Sequence, residues 1–430
     1  MIDNYTKDKF MNTWTDSLAQ KHVYNFSAFS AAQKKNLLDE LNRRFPPPVY
    51  REHRRRQLAA IKNAEERKKI VSGAKQRFPP VINAADLNAA PSDLAGYAVV
   101  LTAGGDGERL RASLRGRGAS DADLKDFTKA TFQLPGFPKG FGSLQANLAV
   151  IAGLCRRGGL DIPVIVTTGP ASSENARIIS GVIAARNNFG IKYLAALAQD
   201  ERLHLTPDGM VAVDGDRARP ATNPDETGGP FMKLAQPGFS GMSSALDWLS
   251  GLGCKKIIAL QATALYDPAV VLAMAAAGKQ HDCMGVGILR TKFDKTDQYG
   301  AFVNLEKNGT CSLVIIEQAV RNNETMKVRD KTGKLFLPFN TGLYVFDVAL
   351  LSKSGLPDYA TPPKEVLPGL PKSPKIGYAA TDLMSCATHG AVLSIEPDSY
   401  AVIKTADDLE LLSALAKRCG IIDLCTSMIK

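Results

Sequence analysis

The chain has 430 residues, 45% of them hydrophobic and 22% charged, a balance that allows sizeable cores and excludes a wholly disordered chain. No run of about 18 apolar residues occurs, which argues against a membrane-spanning helix. The start, MIDNYTKDKFMNTW, lacks the apolar stretch of a secretory leader. The seven cysteines form no C-x-x-C pair and the five histidines are scattered. Neither a disulfide framework nor a zinc site is expected, and reduced thiols in a cytoplasmic protein are the simplest reading.

The net charge of +10 admits nucleic acid, lipid or a polyanionic small substrate as partner. The excess gathers between Arg51 and Arg77, and includes Arg54, Arg55, Arg56, Lys68 and Lys69. Leu58, Ala59, Ile61 and Ile70 recur there at helical spacing, so the stretch reads as a solvated helix face or a polyanion-binding segment. Aromatic residues do not interleave with these charges, which disfavours nucleic acid.

At roughly 100–200 residues per domain the length predicts two or three domains. Residues 1–92 read as a helical N-terminal region. Ser30 is a plausible cap for a helix running through Leu41, broken at Pro46-Pro47-Pro48. A second break falls at Phe78-Pro79-Pro80, and a polar linker follows. Residues 93–350 alternate short apolar runs with helical segments. Tyr97–Leu101, Ile162–Thr168 and Lys256–Leu260 read as strands; segments from Gln145, from Glu174 to Arg186 and around Ser243–Leu249 read as helices. That alternation predicts an α/β fold with a mainly parallel, doubly wound sheet. After Asp282 the pattern turns β-rich, with strands at 285–289, 301–305, 312–316 and 342–346. Residues 351–430 form a C-terminal region of short strands and a helix from Asp407 to Lys417.

The strongest local signal is Leu101-Thr102-Ala103-Gly104-Gly105-Asp106-Gly107-Glu108-Arg109-Leu110, directly after the first of these strands. Three glycines let the backbone turn tightly and bring N–H groups toward an anion. Arg109 adds a planar cationic fork suited to phosphate oxygens. The loop is not a Walker A motif, because Lys-Ser/Thr is missing. Nor is it the dinucleotide pattern, because Leu110 stands where the third glycine belongs. Lys129 and Lys139 follow before the next helix, and Lys129 is the better candidate for phosphate.

These residues resemble the eukaryotic-type UDP-sugar pyrophosphorylases, and within them the UDP-N-acetylhexosamine branch. That family carries G-G-x-G-T-R-L, then P-K-G, then L-F-Q-I-Q-A; this chain has Gly104–Leu110, Thr128-Lys129-Ala130 and Gly142-Ser143-Leu144-Gln145-Ala146. Further matches follow in order. Val166–Gly169 resembles M-T-S. Asn223–Phe231 resembles A-P-D-G-N-G-G-L-Y, and Tyr299-Gly300 the P-V-G turn. Ile315–Glu317 resembles V-E-Y, Phe339–Gly342 resembles F-N-A-G, and Glu396–Lys404 resembles E-F-S-P-L-K.

The resemblance implies a Rossmann-like, glycosyltransferase-A-like catalytic domain over 93–350. It implies a uridylyltransferase joining UTP and a sugar 1-phosphate into a UDP-sugar, such as UDP-N-acetylglucosamine or UDP-glucose, and pyrophosphate. Arg109, Lys129 and Lys404 would be catalytic. Leu101, Ala103, Gly104, Gly105, Gly107, Gln199, Pro224 and Gly228 would bind nucleotide. Thr227, Gly229, Gly300, Glu317, Asn340 and Gly342 would hold the sugar. Mg²⁺ is the implied cofactor, yet Gln261 or Thr263 stands where the family has its metal-binding aspartate, and neither is a carboxylate. Thr227 likewise replaces an asparagine, and Glu108 a threonine. Two other readings stay open: a pseudoenzyme that binds nucleotide sugar without turnover, and a polyanion- or nucleic-acid-binding protein using residues 51–77. The oligomeric state is not legible.

Overall fold

The computed structural model describes residues 12–105, 107–289, 299–307, 309–330, 332–333, 338–353 and 355–428; Asp106 and the first eleven residues lie outside that set. The chain forms two compact units, each discontinuous in sequence. The larger holds 71–199, 230–355 and 380–430, the smaller 1–70, 200–229 and 356–379.

The larger unit is built on a mixed sheet of eleven strands among the described residues. In chain order they are β1 Lys75–Arg77, β2 Val81–Asn83, β3 Tyr97–Thr102, β4 Val164–Pro170, β5 Leu194–Gln199 and β6 Lys256–Gln261. After β7 Ala264–Tyr266, outside the sheet, come β8 Cys283–Leu289, β9 Ala301–Lys307, β10 Thr310–Ile316, β11 Pro338–Asp347 and β12 Gly390–Ile395. The spatial order is β2-β12-β8-β11-β6-β3-β4-β5, with β9 pairing β1, β10 and β11. β3 and β4 are almost wholly buried and read as continuous apolar runs, as strands covered on both faces do. β3, β4, β5 and β6 are parallel to their neighbours among themselves. β11 runs antiparallel to both β6 and β8.

Helices cover this sheet: α1 Glu108–Gly116, α2 Ser143–Gly158, α3 Glu174–Ala184, α4 Ala245–Gly251, α5 Pro268–Gly278, α6 Asp408–Arg418 and α7 Ile421–Ser427. β7 pairs β13, Tyr400–Val402, antiparallel. α5 was not legible as a helix from periodicity, because its residues are apolar nearly all round; Asp267 caps it and Pro268 opens it. The parallel strands β3, β4, β5 and β6 place their C-terminal ends together, the position where open α/β sheets bind ligands.

The smaller unit packs Trp14, Leu18, Phe26, Leu37, Leu41, Phe45 and Tyr50 against Leu203, Leu205 and Val211. Its helix Ala31–Arg44 begins at Ser30 with a capping box closed by Gln33. The three prolines end that helix, but they also start the next, Pro47–Gly73, because proline in a first turn forfeits no hydrogen bond. On this second helix Leu58, Ile61 and Ile70 are exposed, while His53, Arg56, Gln57 and Ala60 are buried. The polar side turns inward because it has partners there. Arg56 pairs with Asp358 and lies 4.5 Å over the Tyr378 ring; Gln57 Nε2 donates to Thr206 O at 3.0 Å. His53 Nδ1 accepts from Leu203 N, and burial, then the charges of Arg202 and Arg56, push its pKa down to about 4. Of the cations named in the 51–77 stretch, Arg56 is buried, whereas Arg55 pairs with Glu52 and Arg77 with Glu306 at the surface and Lys68 and Lys69 are exposed.

Segment 224–229 belongs to the smaller unit. Asp225 is fully buried and receives Arg202 Nε at 2.7 Å and Nη2 at 2.6 Å. Gly228 N donates to Tyr378 O at 2.7 Å, and a Cβ on Gly228 would sit 2.8 Å from Tyr378. Glu226 holds a left-handed φ of 56°. Pro224 closes a short ladder with Glu201, Thr227 is exposed, and Gly229 is buried.

Candidate nucleotide site

The site of the larger unit begins where β3 ends. Ala103 is buried and its N–H donates to Thr167 O on β4 at 2.8 Å. Its carbonyl accepts from Asn175 Nδ2 at 3.0 Å, while Asn175 Oδ1 accepts from Gly169 N at 2.6 Å. One buried side chain in the first turn of α3 therefore fixes the ends of β3 and β4 together. Sequence reading missed Asn175, because an Asn after the Ser173 cap looks like ordinary helix-start chemistry.

Gly104 lies under the Gln199 amide, with Nε2 only 2.1 Å from where a Cβ would stand. Gln199 ends β5 and is buried, and its Oε1 has no hydrogen-bond partner among the described residues. A buried acceptor left open in this way is costly unless a ligand donor completes it. Gly105 faces open space. Gly107 caps α1 with φ +73°, and a Cβ there would meet the Lys129 Cβ at 3.0 Å. Gly107→Ala should therefore cost about 1–2 kcal/mol from the left-handed backbone alone and push the Lys129 backbone away as well. Urea unfolding reads it; a loss of only a few tenths would show that this turn relaxes freely.

Lys129 is positioned from both sides. Thr128 and Thr131 close a tight turn around it, and Leu144 N and Ser143 Oγ, at the start of α2, donate to Ala130 O at 2.8 and 3.3 Å. The amine is half-buried. Burial first, then the Arg109 and Lys404 charges, push its pKa down to about 8, with Asp408 acting the other way. Arg109 stands exposed in the first turn of α1. Lys404 Nζ lies 3.7 Å over the Tyr299 ring.

The turn that carries Lys404 is tied to both neighbours. Asp408 Oδ2 accepts from Lys404 N at 2.8 Å and Thr405 N at 2.7 Å, Ile403 N donates to Thr263 O at 2.9 Å, and Ala406 N donates to Ser113 Oγ on α1 at 3.1 Å. The segment that follows α1 is pinned as well: from within the helix, Arg111 donates to Leu124 O at 2.7 Å and Phe127 O at 2.8 Å.

Beside Lys404 the other predicted residues gather. Gly300 O accepts from Asn340 N at 2.8 Å, and a Cβ on Gly300 would lie 3.0 Å from Glu317 Oε1. Asn340 Nδ2 donates to Tyr344 OH at 2.9 Å and its Oδ1 accepts from Gly342 N at 2.9 Å, leaving one N–H and one lone pair on that amide. Tyr400 OH donates to Thr341 O at 2.7 Å. Burial holds the Tyr344 and Tyr400 hydroxyls protonated well above the usual range. Leu101, Ala103, Gly104, Gly105, Gly107, Arg109, Lys129, Gln199, Gly300, Glu317, Asn340, Gly342 and Lys404 all lie in the larger unit; Pro224, Thr227, Gly228 and Gly229 belong to the smaller.

Gln261 ends β6 in register with Thr102, and Thr263 follows in the turn to β7. The Gln261 amide packs onto Gly342, whose φ is +77°; a Cβ there would lie 1.9 Å from Nε2. Mg²⁺ asks for hard, charged oxygens. Gln261 supplies a neutral amide, Thr263 a neutral hydroxyl, and no group of three or more His, Cys, Asp or Glu among the described residues is placed to hold a metal. The residues at this position do not fit a protein-held magnesium ion.

No family model matches the sequence, and no curated protein matches it. Solved structures do. The uridine diphosphate N-acetylglucosamine pyrophosphorylase of Trypanosoma brucei superposes with a TM-score of 0.66 at 15% identity, over 91% of this chain and 80% of that one. A UDP-glucose pyrophosphorylase variant of Leishmania major does so with 0.58 at 15% identity, over 89% and 78%. Another variant of that enzyme, in complex with UDP-glucose, gives 0.57 at 15% identity over 78% and 70%. The chain has the mixed α/β fold of the UDP-sugar pyrophosphorylases.

Proposed function

We propose that this chain is a nucleotidyltransferase that makes a UDP-sugar and pyrophosphate from UTP and a sugar 1-phosphate. What supports the reading is the glycine turn with Lys129 packed against Gly107, its amine under the influence of the Arg109 and Lys404 charges. In the reaction an oxygen of the sugar phosphate attacks the α-phosphorus in line, and the bond from that phosphorus to the pyrophosphate oxygen breaks. Both reactants are anions and the nucleophile is already ionised, so catalysis is positioning and charge neutralisation rather than proton abstraction. Arg109 and the backbone N–H groups of the turn neutralise the β- and γ-phosphates. Lys129 stabilises charge growing at the α-phosphate, and Lys404, steadied on Tyr299, holds the incoming phosphate. Gln199 Oε1 takes an imide N–H of the base. Glu317 and Asn340 read sugar hydroxyls. A cytoplasmic setting is part of this reading, from the seven cysteines that form no C-x-x-C pair in the sequence.

The test is pyrophosphate release from UTP with N-acetylglucosamine, glucose and galactose 1-phosphates in turn. Turnover with one of them is expected. Gln261 is the observation behind a second reading, a binding protein without turnover. UDP-sugar binding with no product from any sugar would establish that reading instead.

A further inference from the structure

We propose that this chain binds its nucleoside triphosphate without a divalent metal, because protein cations occupy the role and Gln261 has closed the metal position. The inference rests on the nucleotide reading above.

The position itself is the first argument. Gln261 stands at the tip of β6, in register with Thr102 at the end of β3, the strand from which the glycine turn leaves. Its amide is folded down onto Gly342, and Gly342 has the backbone and the bare surface that let it lie there. Gly342 N is in turn held by Asn340 Oδ1. A side chain packed this way offers a neutral amide, not the charged oxygen that Mg²⁺ prefers. The second argument is charge. The charges of Arg109 and Lys404 bear on the Lys129 amine; of the carboxylates near them, Glu108 is exposed in the first turn of α1, and Asp408 is engaged by the backbone N–H groups of Lys404 and Thr405 and by the Thr405 hydroxyl. A triphosphate entering alone meets the charges of Arg109, Lys129 and Lys404 directly. A divalent ion already on it cancels part of the charge that Arg109, Lys129 and Lys404 would attract, and adds its own repulsion toward them. The third is the ligand inventory: among the described residues no group of three or more His, Cys, Asp or Glu is placed to hold a metal.

Titration calorimetry of UTP with the whole chain, in EDTA and then in excess Mg²⁺, decides the matter without relying on turnover. UTP should bind at least about tenfold tighter in EDTA. Gln261→Asp should reverse the order, since it restores a charged oxygen and relieves the contact with Gly342. Equal or tighter binding of wild-type chain in Mg²⁺ overturns the inference and leaves the nucleotide reading standing. Absence of UTP binding in both conditions overturns the nucleotide reading, and this inference with it.

Discussion

Lys129→Met should lower turnover about a hundredfold or more and leave the ligand-free chain as stable as before, or more stable. The two signs follow from one cause. Removing a donor that acts on the transition state typically costs about 10²–10³ in rate. The same amine is a burden on the empty protein: burial and the Arg109 and Lys404 charges depress its pKa to about 8. Methionine keeps the stem that packs on Gly107 and removes the charge. The pH dependence has a definite direction. Between about 8 and the usual lysine value of 10.5 the unfolded chain holds the proton that the folded chain has released. The side that binds more protons there is the unfolded one, so stability rises with pH in that window, and below it the penalty is present in full. The variant should lose that rise. Nucleotide binding runs the other way, because a phosphate beside Lys129 restores its proton. Above pH 8, UTP binding should take up a proton and weaken as pH increases. Calorimetry in two buffers of different ionisation enthalpy measures the uptake; unchanged uptake in Lys129→Met would assign it to another group.

What was legible in the sequence is what local chemistry decides. Gly104, Gly105 and Gly107 directly after an apolar strand announce a turn around an anion, and the turn is there, with Gly107 in the left-handed region. Ser30 announces its helix, and the capping box with Gln33 forms. The apolar runs of β3 and β4 read as buried strands because no alternation is needed when both faces are covered. What escaped depends on partners far away in the chain. Nothing near Asn175 says that its amide will join β3 to β4. Nothing near Asp408 says that it will fold the Lys404 turn. The antiparallel placement of β11 between β6 and β8 is invisible in its composition. On the helix Pro47–Gly73 the burial of Arg56, with Leu58, Ile61 and Ile70 left exposed, could not be read locally, because its partner Asp358 lies 302 residues on. The units are assembled from three segments each, a division that no linear reading of periodicity can supply.

The same long-range dependence makes Asp225→Ala the largest expected loss of stability in the smaller unit. Asp225 is only 2% exposed as a side chain and Arg202 13%, and the pair forms a two-pronged fork at 2.7 and 2.6 Å. Breaking such a pair from one side costs about 3–5 kcal/mol, because it leaves a buried charge without its counterpart. Here the orphan would be worse placed than most. Arg202 also lies 5.7 Å from the Tyr378 ring that Arg56 covers, and its charge already bears on the buried, neutral His53. The damage should spread to segment 224–229, since Tyr378 N donates to Asp225 O and Gly228 N to Tyr378 O, and those two bonds frame the left-handed Glu226. Replacing both partners tests whether charge or shape is what matters. Asp225→Leu with Arg202→Met removes the orphan and keeps volume, and should recover most of the loss. Urea unfolding followed by Trp14, in a Trp248→Phe background, reports on this unit's core. A double variant as unstable as Asp225→Ala alone would mean that the fork's geometry around Glu226, not the burial of a lone charge, is what holds this segment.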